Sequence, residues 1–257
     1  MQEIEYLEQN KTVRGDNMFK DKKLIIFDVD GTLIDSVGIW NEIDERLIRA
    51  IGDGTIDDVN IQMQRDRTLK EVSDGGDLYL RYCEFLKEKY KSNMTAKEIL
   101  KLRYDISQDY MENIVDYKQD AEKVILRLKQ LGFNLAIGST TRKNNIIAYD
   151  TVNKNMMEKA KMNEVFDYIV AKEDVTKRKP NPEVHEKILK YFNMKPEEAL
   201  IIEDSLLGVE AAQNAGIDVI TIYDKYSDGD REEINKISKY NFLTFKEMLD
   251  YINKEFK

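Results

Sequence analysis

What this chain of 257 residues lacks already narrows its chemistry. One cysteine, Cys83, permits no internal disulfide and no thiolate-built zinc cage. One histidine, His185, rules out His-pair metal centres and leaves any serine–histidine arrangement dependent on a single imidazole. Three prolines and twelve glycines exclude collagen-like and linker-dominated architectures. No run approaches the ~20 apolar residues that cross a bilayer. The opening Met1-Gln2-Glu3-Ile4-Glu5 has neither the basic start nor the apolar stretch of a secretory signal, so a cytoplasmic setting is expected. With 49 acidic against 40 basic residues the net charge is −9, which opposes nonspecific attraction to nucleic acid or anionic lipid. Neither nucleic acid, membrane nor an obligate protein partner is therefore expected. The 42% hydrophobic content is that of an ordinary globular chain.

What is present has a clear grammar. Lys23-Leu-Ile-Ile-Phe-Asp28 is a short apolar run closed by Asp-Val-Asp-Gly-Thr, which reads as a buried strand. Four more runs follow the same pattern: 133–137 before Gly138-Ser-Thr-Thr, 166–170 before Ala171-Lys-Glu-Asp, 199–202 before Glu203-Asp-Ser, and 218–222 before Tyr223-Asp-Lys. Helical spacing fills 121–131 and 206–215 between them, and a C-terminal helix is expected around 245–252. Strands alternating with helices imply parallel βαβ units in one open sheet, an α/β fold. Residues 37–114 break the alternation with apolar positions at helical spacing and no strand-like run, which predicts an all-helical insert. The expected organisation is an N-terminal extension (1–23), a core domain (24–36 and 115–257) and a helical cap (37–114).

The chemistry-bearing residues fall at strand ends. Asp28 and Asp30 flank Val29, so both carboxylates project to one side of an extended chain, and Gly31 lets the backbone turn. Two acids at a sheet edge are costly unless a divalent cation or a proton compensates them. One carboxylate suits nucleophilic attack and its neighbour suits proton transfer. Ser139, with Thr140 and Thr141 beside it, offers hydroxyls to a phosphate or to a helix start. Lys179, in Lys177-Arg-Lys-Pro180, offers a fixed positive charge, while Lys177 and Arg178 read as a solvated turn. Glu203 and Asp204 present oxygens suited to a hard cation such as Mg²⁺.

Asp28-Val-Asp-Gly-Thr-Leu-Ile-Asp-Ser36, Ser139, Lys179-Pro180 and Glu203-Asp-Ser-Leu-Leu-Gly-Val209 together resemble the four signature motifs of the haloacid dehalogenase (HAD) superfamily. The resemblance covers about 24–222. It implies a Rossmann-like core with an inserted helical cap of the β-phosphoglucomutase and phosphoglycolate-phosphatase type. It further implies Asp28 as nucleophile, Asp30 as general acid/base, and Ser139, Thr140 and Lys179 as phosphate binders. Asp28, Asp30 (through its main-chain carbonyl), Glu203 and Asp204 are implied as the Mg²⁺ site. The expected activity is Mg²⁺-dependent hydrolysis of a small phosphorylated metabolite through an aspartyl-phosphate. A dehalogenase has no need of Asp30. A sugar phosphomutase of this layout carries a cap histidine where Trp40 stands, which places that isomerase second and a non-catalytic HAD-like binding protein third. In the cap, Trp40 and Tyr79 are expected to pack helices, Arg65 and Arg67 to lie on a solvated helix end or loop, Asp74–Asp77 to form a loop and Cys83 to sit in the core. His185 is expected at the surface.

Overall fold

The computed structural model describes residues 18–52, 61–70 and 78–257. The first seventeen residues and the Asp74–Asp77 stretch lie outside them. The described chain divides into two compact units, one running up to Asp35 and resuming at Val115–Lys257, the other spanning Ser36–Ile114.

In the first unit, six parallel strands form one sheet: β1 (Leu24–Phe27), β2 (Asn134–Gly138), β3 (Tyr168–Val170), β4 (Ala199–Glu203), β5 (Asp218–Ile222) and β6 (Tyr240–Phe242), in the order β3-β2-β1-β4-β5-β6. The continuous apolar runs are explained by burial on both faces. All four β1 residues and all five of β4 are buried. At roughly 1.5–3 kcal/mol per large apolar side chain, the Leu-Ile-Ile-Phe run alone is a major contribution to core stability. The sixth strand, Tyr-Asn-Phe at the sheet edge, is not among the five expected runs because Asn241 splits its two buried aromatics.

Chain direction across the sheet reverses between β1 and β4, and ligands in open α/β sheets sit outside the strand carboxyl ends at such a switch point. Register fixes what meets there. Phe27 lies opposite Ile137 on β2 and Ile202 on β4, so the next residues of the three strands, Asp28, Gly138 and Glu203, reach the rim together. The Asp28 N–H donates to the Ile202 carbonyl at 3.0 Å, which carries the pairing one step past the strand.

The helices of this unit show why the periodicity was readable. Ala121–Gln130 buries Ala121, Val124, Ile125 and Leu128, a stripe at three- and four-residue spacing. Glu183–Phe192 buries Val184, His185, Ile188 and Leu189, and Leu206–Asn214 buries Gly208, Val209, Ala211 and Ala212. The terminal helix spans Phe245–Glu255. Met18 and Phe19 are buried in this unit, the Phe19 ring lying 5.7 Å from Phe133 and 5.9 Å from Phe256.

The second unit contains four described helices: α1 (Val37–Ile51), α2 (Ile61–Lys70), α3 (Leu78–Lys89) and α4 (Ala96–Asn113). Ile43, Leu47, Ile48, Tyr82, Cys83, Leu86 and Ile99 form its core, which places Cys83 inside as expected. Thr95 and Glu98 close a reciprocal capping box at the start of α4. Helix α2, Ile-Gln-Met-Gln-Arg-Asp-Arg-Thr-Leu-Lys, escapes an apolar-period reading because Ile61, which packs on that core, is followed by Gln62, Gln64 and Arg65 with polar partners. Its Arg65 is no solvated residue: it pairs with the fully buried Asp44 at 2.9 Å, and Arg103 holds the other Asp44 oxygen at 2.7 Å. Arg103 in turn lies over the rings of Tyr79 and Trp40, which gives both aromatics the packing role predicted for them. No described helix is long and apolar enough to cross a membrane.

Candidate active site

Asp28 leaves β1 buried, and the chain turns at Gly31, whose φ of +85° favours glycine. A second reason fixes glycine there. A Cβ on Gly31 would meet Asp204 Oδ2 at 2.5 Å, so the Asp204 carboxylate lies directly against the bare backbone. Thr32 Oγ1 donates to Asp204 Oδ1 at 2.6 Å and orients it. The loop after β1 and the loop after β4 are thereby locked together.

Lys179 reaches into the same place from the loop before Glu183–Phe192. Its Nζ lies 2.7 Å from Asp28 Oδ1 and 2.7 Å from Glu203 Oε1, with 6% of the side chain exposed. The loop is pinned at both ends. The Glu183 carboxylate accepts from the Thr176 N–H, the Thr176 hydroxyl and the Lys177 N–H, and Asn214 Nδ2 donates to the Pro180 carbonyl at 2.9 Å. Those bonds hold the Glu183 carboxyl down at about 2.

Glu203, named with Asp28, Asp30 and Asp204 for the implied Mg²⁺ site, has both carboxylate oxygens engaged within the protein. Its Oε1 is taken by Lys179, and its Oε2 accepts from the Asp204 N–H (2.7 Å), the Ser205 N–H (2.9 Å) and the Ser205 hydroxyl (3.0 Å). Any Cβ at position 208 would sit 1.7 Å from Glu203 Oε1, so Gly208 exists to make room for this carboxylate. Glu203 is a scaffold: it shapes the loop that presents Asp204 and balances Lys179.

From β2 comes a chain of hydroxyls. Thr141 Oγ1 donates to Asp30 Oδ2 and lies 2.9 Å from Ser139 Oγ, and the Thr141 N–H donates to Ser139 Oγ at 3.2 Å. Ser139 and Thr141 are buried, whereas Thr140 is exposed. The turn after β2 thus points Ser139 and Thr141 inward beside Asp30 and leaves the Thr140 side chain outside.

Burial sets the electrostatics. Desolvation raises the Asp28 carboxyl to about 7, against the pull of Lys179 and with a further push from Glu203. Asp204 is pushed well above its ordinary value, by burial first and then by the charges of Glu203 and Asp28. Burial works to lower Lys179, but the carboxylates of Asp28 and Glu203 override it and raise it. Lys179 is thus shared by two carboxylates, Asp28 and Glu203, whose charges also act on Asp204.

The haloacid dehalogenase-like hydrolase family model matches residues 25–222. The chain belongs to this family. It is 28% identical over 212 residues to Protein CbbY of Rhodobacter capsulatus, covering 81% of this chain and 88% of that protein. It is 26% identical over 192 residues to the pyrophosphatase PpaX of Bacillus cereus, covering 75% and 79% respectively. The crystal structure of CbbY from Rhodobacter sphaeroides in complex with phosphate superposes with a TM-score of 0.62 at 24% identity, over 90% of this chain and 99% of that one.

HAD-family hydrolases generally use Mg²⁺. Among the described residues no group of three His, Cys, Asp or Glu side chains is arranged to hold an ion alone. Mg²⁺ does not ask for one, since it keeps several waters and takes one or two carboxylates. The residues here fit that demand: two buried carboxylates, Asp28 and Asp204, are held at costly ionisation, and Asp204 occupies the room that the missing Gly31 side chain leaves beside the loop after β1.

His185, expected at the surface, is fully buried beneath β2, with Nδ1 at 3.4 Å from where a Gly138 Cβ would stand. Burial and then the charge of Lys179 hold it neutral. The signal for this was present, because residue 185 shares the apolar face of Val184, Ile188 and Leu189. Glu183 is the neighbour that motif reading missed, and Thr141, one of three hydroxyls named there, is singled out by its hydrogen bonds.

Proposed function

We propose that in this phosphohydrolase Asp28 attacks the phosphorus of a small phosphate monoester, forming an aspartyl-phosphate as the ester P–O bond breaks. Asp30 gives its proton to the departing alkoxide oxygen. It then takes a proton from water, whose oxygen attacks phosphorus, breaks the bond to Asp28 and releases inorganic phosphate. Thr141, which donates to Asp30, aims the acid, and the Ser139 hydroxyl, which rests on Thr141, would turn from it to donate to a phosphoryl oxygen. Lys179 neutralises the phosphoryl group and restrains Asp28 between turnovers. Asp28, Asp204 and the Asp30 carbonyl would hold Mg²⁺, which supplies charge neutralisation to the phosphoryl oxygens. A cytoplasmic setting belongs to the same reading.

The observation that carries this reading is Lys179 Nζ at 2.7 Å from both Asp28 and Glu203, beside the buried Asp204, at the reversal point of the sheet. Hydrolysis is favoured over mutase chemistry by Trp40 in the position where mutases of this layout carry histidine. The test is turnover of p-nitrophenyl phosphate by the full chain with and without Mg²⁺. β-Glucose 1-phosphate with its bisphosphate activator serves as the mutase arm. Release of phosphate that requires Mg²⁺ and Asp28 supports the reading; isomerisation without phosphate release contradicts it.

A further inference from the structure

Two loops hold the carboxylate of Asp204, and a side chain that the chemistry above does not use ties them together. Thr32, in the loop after β1, donates to Asp204 Oδ1 at 2.6 Å. Ser227, in the short helical turn Lys225–Asp230 after β5, donates to Asp204 Oδ2 at 3.4 Å. Lys118 reaches both loops. Its N–H donates to the Leu33 carbonyl at 2.8 Å, in the residue next to Thr32. Its ammonium donates to Asp224 Oδ2 at 2.8 Å and to the Tyr223 carbonyl at 3.1 Å. Asp224 then builds the turn. Its Oδ1 accepts from the Tyr226 N–H at 2.8 Å, and its carbonyl accepts from the Ser227 N–H at 3.1 Å and from the Arg231 guanidinium at 2.8 Å.

The Lys118–Asp224 pair lies inside the fold, with 15% of the lysine side chain and 3% of the aspartate exposed. A buried ion pair gives up the hydration of both charges, so it stabilises little more than an apolar pair of the same shape; what it supplies is fixed geometry. Here that geometry ends on Asp204. The electrostatics run the same way. Burial, then the charges of Glu203 and Asp28, raise the Asp204 carboxyl, and the Thr32 hydrogen bond and the positive charge of Lys118 oppose them. We propose that Lys118, paired with Asp224, is a positioning residue of the metal site. It clamps the loop after β1 to the turn after β5, so that Thr32 and Ser227 hold both oxygens of Asp204 in the orientation that receives the cation. Lys118 and Asp224 act through Asp204. The proposal rests on the reading of Asp204 as a Mg²⁺ ligand.

The test is the Mg²⁺ dissociation constant, read by mass action from the rise in melting temperature over a Mg²⁺ series. It is measured on the full chain, on the Lys118→Met/Asp224→Asn double variant and on Ser227→Ala. The double variant removes both charges together, so neither is left buried and alone; Ser227→Ala removes one hydroxyl and carries the same test should the double variant fail to fold. Groups that orient a metal ligand from behind govern affinity strongly, so the constant should rise about tenfold or more in the double variant and severalfold in Ser227→Ala. At saturating Mg²⁺ the KM for p-nitrophenyl phosphate should stay within about twofold of the parent's. A dissociation constant unchanged in either variant overturns the proposal, even beside a lower melting temperature without metal, because that is a structural role alone. A parent chain whose melting ignores Mg²⁺ overturns the metal assignment of Asp204 itself, a failure that the parent titration reveals before any variant is made.

Discussion

Each of the two units buries a cluster of charges, and the clusters differ in sign and in how they are settled. In the cap unit one acid, Asp44, is shared by Arg65 and Arg103. The extra positive charge is spread over aromatic faces, with Arg103 lying 4.7 Å from the Tyr79 ring and 5.7 Å from that of Trp40. That cluster is complete with protein alone. In the core unit Lys179 is shared by Asp28 and Glu203, with Asp204 next in the chain, and burial first, then the neighbouring carboxylates, raises the carboxyls of Asp28 and Asp204. A buried charge cluster closed by its own side chains is architecture; one left in surplus at strand ends marks a place for a ligand.

The comparison is broken most forcefully at Asp28. Asp28→Asn is expected to lower kcat by about 10⁴-fold or more, as removal of a nucleophile does. Its metal-free melting temperature should match or exceed the parent's, because a poorly solvated, mutually repelling carboxyl is gone. A fall in stability, measured by thermal unfolding, would mean that Asp28 is architecture too.

Lys179→Met comes next. It leaves Asp28 and Glu203 facing each other without a cation, and is expected to destabilise the metal-free chain by about 3–5 kcal/mol. It should also cut kcat about 10²–10³-fold. In the cap, Arg103→Met leaves Asp44 still paired with Arg65, so a loss of about 1–3 kcal/mol is expected, with the Mg²⁺ requirement unchanged. Denaturant unfolding and Mg²⁺ titration of both variants give the contrast directly.

Much of this was legible in the sequence, for identifiable reasons. Strands buried on both faces leave continuous apolar runs, and the acids and lysine that end them stand out against those runs. Edge strand β6 is only Tyr-Asn-Phe, and helix α2 alternates Ile61 with glutamines and Arg65 that have polar partners, so neither leaves a continuous apolar run. Motif reading named Asp28, Asp30, Lys179 and Asp204, which the fold gathers at neighbouring strand ends. It could not assign Glu203 to its backbone partners, choose Thr141 over Thr140, or bury His185. Those depend on where a turn points its side chains, which spacing does not encode.

Proton linkage sharpens the account further. In the metal-free chain Asp28 titrates near 7 instead of 3.8, so below that pH an incoming cation must displace its proton. The Mg²⁺ concentration for half-maximal activity should therefore fall as pH rises towards 7, by up to about tenfold per unit, and level off above it. Excess EDTA should abolish turnover, and added Mg²⁺ should restore it.

Smaller effects are expected in the supporting residues. Thr141→Val should lower kcat about tenfold or more by releasing Asp30. Thr140→Val, at an exposed position, should leave it within about twofold. Glu183 is held at about 2, below its ordinary 4.5, so the folded chain binds fewer protons there than the unfolded chain. Its stabilising contribution is present above pH ~4.5 and is lost as pH falls towards 2. Glu183→Gln should flatten the decline of melting temperature across that window.

The most direct measurement is thermal unfolding of the full chain at pH 7.5, with and without millimolar Mg²⁺, for the parent and for Asp204→Asn. A bound ion stabilises the folded state by mass action, so the parent should melt several degrees higher with Mg²⁺, and Asp204→Asn should show little or no shift. A parent chain whose melting ignores Mg²⁺, or a variant that responds as fully as the parent, would contradict the claim that surplus carboxylate charge at the sheet rim is there to hold a dication.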